Sequence, residues 1–244
     1  NKQHNTIDWG YGIDVMVNAG GSKNFTFVEG YLKARVKNIQ LKIGRSKDKY
    51  GLVDSVLSTG SFSTSGNALG LPKVDLSMPN YQNIPFTNNL LAFKGDLSFG
   101  LMGRVPIQYG DNRGARVSTY SHHLSVNGKI GKPEWPFKLY FSVNHDVIWG
   151  SDALIFGDQY DLSTLNALFY VLTGKKYKGG RDISKIGNHL GSIDLAAEYD
   201  FSEVKLNVYR QLFYDKGALG YLANLRDGLT GFSLINKRKN NSNM

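Results

Sequence analysis

Four of the five histidines are the first residues whose type and spacing could support chemistry, because imidazole binds metals and transfers protons near neutral pH. His122 and His123 are adjacent, whereas His145 and His189 lie further along the chain. Their spacing matches no zinc-binding pattern, and adjacent residues of a strand point to opposite faces of a sheet. We therefore predict no metal site, and nothing in the sequence indicates a cofactor.

A second candidate for chemistry is the pair Asp194 and Glu198, which would share one face of a strand and could act as the two carboxylates of a glycosidase. Such pairs are also common on polar barrel walls, where they balance cations. The chain has no cysteine and no Gly-x-Ser-x-Gly, Walker or dinucleotide-binding motif. We predict that the protein is not an enzyme, and we interpret His145, Asp146 and Trp149 as a strand-end cluster near a membrane interface.

The elements that must position these residues are predicted by alternation with a period of two, which indicates strands with one apolar and one polar face. Between residues 91 and 104, the apolar series contains Leu91, Phe93, Leu97, Phe99 and Leu101, and the residues between them include Lys94, Asp96, Ser98 and Arg104. Similar segments occur at 13–19, 124–130, 137–143, 192–201 and 204–208. We count about ten such segments, near the ~10-residue length that a tilted strand needs to cross a bilayer.

Composition allows a membrane barrel and excludes a helical membrane protein. The chain has 244 residues, 41% of them hydrophobic, and no run approaches the roughly 18 to 20 apolar residues of a membrane helix. The net charge of +9 requires an anionic neighbour or a basic surface. The cations are spread along the chain and no nucleic-acid-binding motif is present, so we expect lipopolysaccharide or an acidic glycan as the partner and no nucleic acid.

Two segments break the alternation. Residues 45–85 are rich in Ser, Gly, Asn and Pro, and this length predicts a long insertion that folds into a lumen or over one mouth. Residues 161–174 place Leu165, Leu168, Phe169 and Leu172 at helical spacing, which predicts a short amphipathic helix ending near Gly174. A basic loop, residues 175–181, follows the helix and is a candidate for facing lipopolysaccharide or capsule.

An ordered set of short motifs resembles the Wzi-type capsule assembly proteins, in the variety found in Bacteroides-like bacteria. The resemblance covers most of the chain, and the order of the motifs makes it more specific than any single motif. The motifs are Gly44-Arg45, Tyr50-Gly51, Asp54, Leu57-Ser58, Ser65-Gly66-Asn67-Ala68, Pro72, Asn144-His145, Trp149-Gly150, Gly191 to Leu195, Tyr209-Arg210-Gln211 and Asn224 to Gly228.

This resemblance implies an outer-membrane barrel of antiparallel strands that attaches capsular polysaccharide to the cell surface in a lectin-like way. The expected fold class is therefore all-β, an antiparallel transmembrane β-barrel with one short loop helix. We expect residues 1–244 to form one barrel domain, partial in this chain and truncated at both ends, because a full member of the family is longer and begins with a signal peptide. The expected location is the cell outer membrane.

A glycan site requires hydroxyl and amide groups, aromatic faces and, for an acidic polymer, cations that bind carboxylates. Basic and hydroxyl residues also line any water-filled barrel, so each candidate has a purely structural alternative. The candidates on predicted lumen or loop positions are Arg45, Lys47, Ser58, Ser65, Asn67, Arg104, Arg113, Arg116 and Lys129.

Three functions follow from this sequence. The first is a non-catalytic barrel that binds and anchors or guides surface polysaccharide, with many weak contacts along a repeating chain. The second is a porin-like, anion-selective channel, against which the insertion at 45–85 argues because it would plug the lumen. The third is an outer-membrane hydrolase, although no residues in the sequence form a recognisable triad.

Overall fold

A computed structural model describes residues 6–21, 23–108, 112–177, 185–215 and 226–237. These residues form ten strands, two α-helices and one 3-10 turn at Asp158–Tyr160. The strands are β1 (Ile7–Ala19), β2 (Lys23–Val36), β3 (Ile39–Ser46), β4 (Leu71–Asn83), β5 (Leu91–Pro106), β6 (Arg116–Ile130), β7 (Phe137–Trp149), β8 (Asn188–Asp200), β9 (Val204–Asp215) and β10 (Gly228–Asn236). The helices are α1 (Asp152–Phe156) and α2 (Thr164–Thr173).

The ten strands form one antiparallel sheet in which each strand pairs with its neighbour in sequence, from β1 to β10. The sheet is open, since β1 and β10 each pair with one strand only among the described residues. The predicted all-β class and the count of about ten alternating segments are confirmed. A meander of this kind needs only hairpin connections between consecutive antiparallel strands.

Cross-strand partners give the sheet two chemically different faces, because residues directly opposite each other point the same way. One face, the polar face, carries rows of hydrophilic residues such as Asp96, Ser125, Asn144 and Ser192 on β5 to β8. The other, the apolar face, carries rows such as Leu91, Ile130, Leu139, Ala197, Val208 and Phe232 on β5 to β10.

Burial is inverted relative to a water-soluble sheet. On the polar face, Ser142 and Gln211 are 0% exposed and Asp194 is 1% exposed. On the apolar face, Phe141 and Leu195 are 44% and 51% exposed. A soluble sheet packs its apolar face onto a core and solvates the other face. This sheet covers its hydrophilic side and leaves its hydrophobic side bare.

The connections differ in length at the two ends of the sheet. The turns at 37–38, 84–90, 131–136 and 201–203 lie at one end, and at the other end consecutive strands are separated in sequence by residues 20–22, 47–70, 107–115, 150–187 and 216–227. We call the second the long-loop end. Long connections confined to one end and short turns at the other are typical of outer-membrane barrels.

The structure corrects the bounds of two predicted segments. The predicted insertion at 45–85 is shorter, because residues 71–83 form β4, and the connecting segment covers residues 47–70. In β5, the alternation predicted up to Arg104 is interrupted by a bulge between Leu101 and Gly103, where Gly103 has φ +85°. Residues 178–181 of the predicted basic loop, with Asn224 and Leu225, lie outside the described residues.

The predicted helix at 161–174 corresponds to α2, with Ser163 at the N-cap position and Gly174 in the left-handed conformation after the last turn. The helix α1 and the 3-10 turn were not predicted. Together these elements form the first part of the connection from β7 to β8, residues 150–177, which we call the helical unit. No helix in the described ranges combines the length and the apolar character that crossing a membrane requires.

Candidate functional site

Residues 47–70, which we call the insertion, fold back onto the polar face of the sheet and are held there by three groups of contacts. The first group centres on Asp48. Its carboxylate accepts hydrogen bonds from Lys42 Nζ at 2.8 Å and from the Tyr50 hydroxyl at 3.0 Å, and it forms a second ion pair with Lys73. Because Lys42 lies on β3 and Lys73 on β4, Asp48 attaches the start of the insertion to two strands.

The ring of Tyr50 continues this attachment across the sheet by stacking on His123 of β6, with the ring centroids 3.5 Å apart. His123 is held between two carboxylates. Its Nδ1 lies 2.7 Å from Asp146 Oδ1 of β7, and its Nε2 lies 3.2 Å from Asp96 Oδ2 of β5, the latter without hydrogen-bond geometry. Asp96 also accepts a hydrogen bond from Ser125 Oγ at 2.8 Å.

Burial against the sheet raises the pKa of the Tyr50 hydroxyl, and the neighbouring carboxylates Asp96 and Asp146 raise it further. The phenol therefore stays protonated over the physiological range and remains a hydrogen-bond donor to Asp48. A tyrosine in this position is both an aromatic plate against the imidazole and a fixed donor.

The second group of contacts centres on Asp194 of β8. Its Oδ2 accepts hydrogen bonds from the Leu52 amide at 2.8 Å, from Gln211 Nε2 at 3.1 Å and from Asn144 Nδ2 at 3.4 Å. Gly51 precedes Leu52 with φ +77°, and a Cβ there would lie 2.4 Å from Asp194 Oδ2. Only glycine fits this approach of the backbone to the strand wall.

The third group of contacts attaches the tip of the insertion to β9. The Phe62 amide donates a hydrogen bond to Gln211 Oε1 at 2.8 Å, and its ring stacks on Phe213 with centroids 4.3 Å apart. Gln211 therefore connects Phe62 to Asp194 through its two amide atoms. The insertion makes specific contacts with strands from β3 to β9, which explains why the polar residues beneath it are buried.

A cavity of about 280 Å³ remains between the insertion and the polar face, at the long-loop end. Its lining combines apolar side chains such as Leu69, Met102 and Leu190 with hydroxyl, ammonium, imidazole and carboxylate groups, and the polar set can form hydrogen bonds to a hydroxylated ligand such as a sugar. Among the lining residues are Lys47, Asp48, Tyr50, Ser65, Lys73, Ser98, Ser121, His123 and Asp146.

Two of the nine predicted glycan-binding residues, Lys47 and Ser65, line this cavity. The other predicted residues of the insertion and its flanks stabilise the loop itself. Arg45 donates from Nε to the Gly70 carbonyl at 2.7 Å and from Nη1 to the Phe27 carbonyl at 3.0 Å. The Ser58 hydroxyl donates to the Asp54 carbonyl, and the backbone N–H of the exposed Asn67 donates to Ser65 Oγ at 3.2 Å.

The remaining predicted residues lie away from the cavity. Arg104 and Arg116 lie on the β5–β6 hairpin and bind each other's carbonyls at 3.1 and 2.8 Å, and the exposed Arg113 lies in the turn between these strands. Lys129 lies further along β6, where its Nζ is 5.7 Å from the ring centroid of Tyr81. The nine residues therefore do not converge on one site.

The adjacent histidines point to opposite faces of the sheet, as predicted. His123 points to the polar face and His122 to the apolar face, where His145 Nε2 lies 2.9 Å from His189 Nδ1. Within the described residues, no group of three or more His, Cys, Asp or Glu residues could hold a metal ion. The predicted cluster of His145, Asp146 and Trp149 is wrong for Asp146, which points to the opposite face and binds His123.

The two carboxylates considered as a glycosidase pair both have structural partners. Asp194 and Glu198 lie four positions apart on β8, so their Cα atoms are roughly 13 Å apart. Asp194 binds the insertion, and Glu198 forms an ion pair with Lys205 at 3.2 Å.

Sequence reasoning missed the residues that build the cavity wall, above all Asp48, Lys73 and Asp146. The signal for them was partial. The Tyr50-Gly51 motif marked the segment that enters the polar face, and the alternation placed Asp96 and Ser98 on that face. The partners on other strands could not be paired with the insertion until its path over the sheet was known.

No protein-family model matches the chain, and comparisons with curated proteins and with solved structures find no match either. The resemblance to Wzi-type capsule assembly proteins therefore stays a prediction.

Proposed function

We propose that this chain forms part of the wall of an outer-membrane barrel and holds surface polysaccharide, capsular polysaccharide in particular, at its long-loop end without catalysing a reaction. The observation that carries the proposal is the inverted burial of the sheet, with Leu195 and Phe141 bare on one side and Asp194 and Gln211 covered on the other. Hydrocarbon is the solvent that favours such an exposed apolar face, since strands in lipid alternate apolar-out and polar-in.

The dimensions of the strands support a membrane location. The 13 residues of β7, at about 3.3 Å per residue and a tilt of about 45°, cover roughly 28 Å, close to the ~30 Å hydrocarbon core of a bilayer. Aromatic residues flank the apolar face at both ends. Phe137 pairs with Tyr199 at the short-turn end, and Tyr120 of β6, 37% exposed, lies at the long-loop end. Aromatic girdles of this kind suit the boundary between lipid and water.

The polysaccharide part of the proposal is supported by the cavity and by the insertion over the polar face. The cavity joins hydroxyls to the cations Lys47 and Lys73 at the long-loop end, which we assign to the cell exterior because outer-membrane barrels have their longer loops there. The insertion makes a wide aqueous channel a poorer explanation, since it covers the polar wall that a channel would use.

Capsule retention tests the polysaccharide role. In a deletion strain complemented with Lys47→Ala plus Ser65→Ala, we expect a smaller share of capsular polysaccharide on the cells and a larger share in the medium than with the unchanged protein. Lys132→Ala, at the short-turn end, is the matched control and should retain capsule normally. Retention by the cavity variant equal to that of the unchanged protein would contradict the role of the cavity, and normal retention by the deletion strain would contradict the polysaccharide role as a whole. A steady anion-selective current from the reconstituted protein would favour a channel instead.

A further inference from the structure

The helix α2 has two apolar faces. Ala167 and Val171 are buried on one side, whereas Leu165, Phe169 and Leu172 are 80%, 49% and 37% exposed. The exposed three are spaced i, i+4 and i+7 and therefore share one side of the helix. From periodicity alone, this stripe would be expected to pack against a protein core. In the structure it is exposed, and Ala167 and Val171 pack into the buried cluster instead.

The buried side of α2 fixes the helical unit to the apolar face of the sheet. Val171 is 0% exposed and belongs to a cluster with Val147, Trp149, Tyr160 and Ile186. Val147 and Trp149 point to the same side of β7 as Phe141. The helical unit therefore packs on the apolar face, which is exposed further along the strands. The exposed stripe of α2 is thus continuous with an apolar surface that the proposed function assigns to lipid.

Two further features next to this stripe are those of an interfacial segment. Lys175 follows the C-cap of α2, and its Nζ lies 5.2 Å from the ring centroid of Phe169, with Lys176 next in sequence. In α1, Leu154 and Phe156 are 50% and 54% exposed. Apolar side chains beside lysines characterise helices that lie at the surface of an anionic bilayer, where they enter the boundary between headgroups and acyl chains.

We infer that the helical unit is an interfacial anchor, which immerses Leu165, Phe169 and Leu172 in the outer leaflet and binds anionic lipid headgroups through Lys175 and Lys176. The inference rests on the proposed membrane location. It adds to that location a specific lipid contact outside the strands, at the long-loop end. The contact would fix the depth of the sheet in the bilayer and orient the insertion and its cavity toward the exterior.

Because the chain has no cysteine, single cysteines can carry a nitroxide label without removing any native thiol. Leu165→Cys reports on the anchor, Leu195→Cys on the apolar face of the strands, and Val56→Cys, at an 82% exposed site of the insertion, on water. The purified protein is reconstituted in vesicles of phosphatidylcholine with phosphatidylglycerol. Relaxation by oxygen, which concentrates in lipid, is compared with relaxation by a water-soluble nickel complex.

We expect the labels at Leu165 and Leu195 to favour oxygen and the label at Val56 to favour nickel, by several-fold in each direction. If Leu195 favours oxygen while Leu165 behaves like Val56, the anchor is wrong and the membrane location stands. If Leu195 also favours nickel, the proposed function fails. Spin coupling between copies at Leu165, together with loss of its oxygen preference, would indicate a second protein chain on this stripe and overturn the lipid assignment.

The charge of the headgroups is tested separately. In the Leu165→Cys background, Lys175→Glu with Lys176→Glu should shift the label toward the nickel reagent in vesicles containing phosphatidylglycerol. In vesicles of phosphatidylcholine alone, the same change should have a smaller effect. An equal shift in both kinds of vesicle would overturn the role of the two lysines in binding anionic headgroups.

Discussion

At the scale of single residues, the insertion is attached to the sheet by contacts that tolerate little change. Gly51 lies against Asp194, and Asp48 neutralises two lysines whose side chains are 16% and 8% exposed. These contacts could not be predicted from sequence, because they join residues far apart in the chain through a connection that has no periodicity. The Tyr50-Gly51 motif identified the place, but neither the stacking of Tyr50 on His123 nor the contact with Asp194 followed from it.

Replacement of Gly51 by alanine should displace the insertion from the polar face. The added Cβ would lie 2.4 Å from Asp194 Oδ2, and alanine is strained at φ +77°. We expect a lower thermal unfolding midpoint and a larger conductance of the reconstituted protein. Gly128→Ala is the matched control, since a Cβ at Gly128 meets no atom within 4 Å. Unchanged conductance in Gly51→Ala would show that the insertion does not block the polar side.

Replacement of Asp48 by asparagine should leave Lys42 and Lys73 buried without a counter-charge. Breaking one partner of a buried ionic group costs about 3 kcal/mol, against roughly 0 to 1 kcal/mol for an exposed pair. Trypsin should therefore cleave at Lys47 or Lys49 faster in Asp48→Asn than in the unchanged protein. Asp8→Asn removes an exposed ion pair with Arg35 and should leave the rate unchanged. Equal cleavage of the two variants would contradict the anchoring role of Asp48.

At the scale of elements, the strands were predictable because alternation expresses the two faces of a sheet directly. β5, β7 and β8 appear in the sequence much as they do in the structure. β4 was missed because its Pro72 and Pro79 resemble loop signals, and proline is uncommon inside strands. The helix α2 was predicted in extent but not in orientation, since periodicity identifies an apolar stripe without saying what covers it.

Truncation of Val171 should loosen the helical unit and leave the sheet intact. Val171→Ala removes two buried methyl groups from the cluster with Val147 and Trp149, a loss of about 2 kcal/mol. Hydrogen exchange of the α2 amides should accelerate by roughly 30-fold if the unit opens locally, which corresponds to that energy. Leu165→Ala, at an 80% exposed site, should leave exchange in detergent almost unchanged. Matching acceleration throughout β7 and β8 would show that the helical unit is not an independent structural layer.

At the scale of the whole molecule, the sequence predicted an antiparallel β-barrel that is partial in this chain, and the structure shows a ten-stranded antiparallel sheet, not closed into a barrel among the described residues, with opposite chemistry on its two faces. The inverted burial depends on the tertiary structure, because the path of the insertion over the sheet is what covers the polar face. The net charge of +9 fits an anionic surrounding at either end of the sheet and did not locate the site. Lys47 and Ser65, two of the nine residues predicted to bind polysaccharide, line the cavity, whereas most of its other lining residues were not singled out in the sequence.

The apolar face makes the membrane location directly testable. Arginine on the lipid side of a strand costs about 2–4 kcal/mol near the bilayer midplane. We expect Phe141→Arg plus Leu195→Arg to reduce the amount of folded protein in the outer-membrane fraction severely, because the two sites pair directly on β7 and β8 and their costs combine. Val56→Arg adds one cation at an exposed site of the insertion and should not change that amount. A soluble protein would tolerate both variants alike, since arginines on a face already 44% and 51% exposed to water would cost it little. Normal membrane insertion of the double arginine variant would therefore exclude lipid as the solvent of this face and, with it, the wall on which the polysaccharide proposal depends.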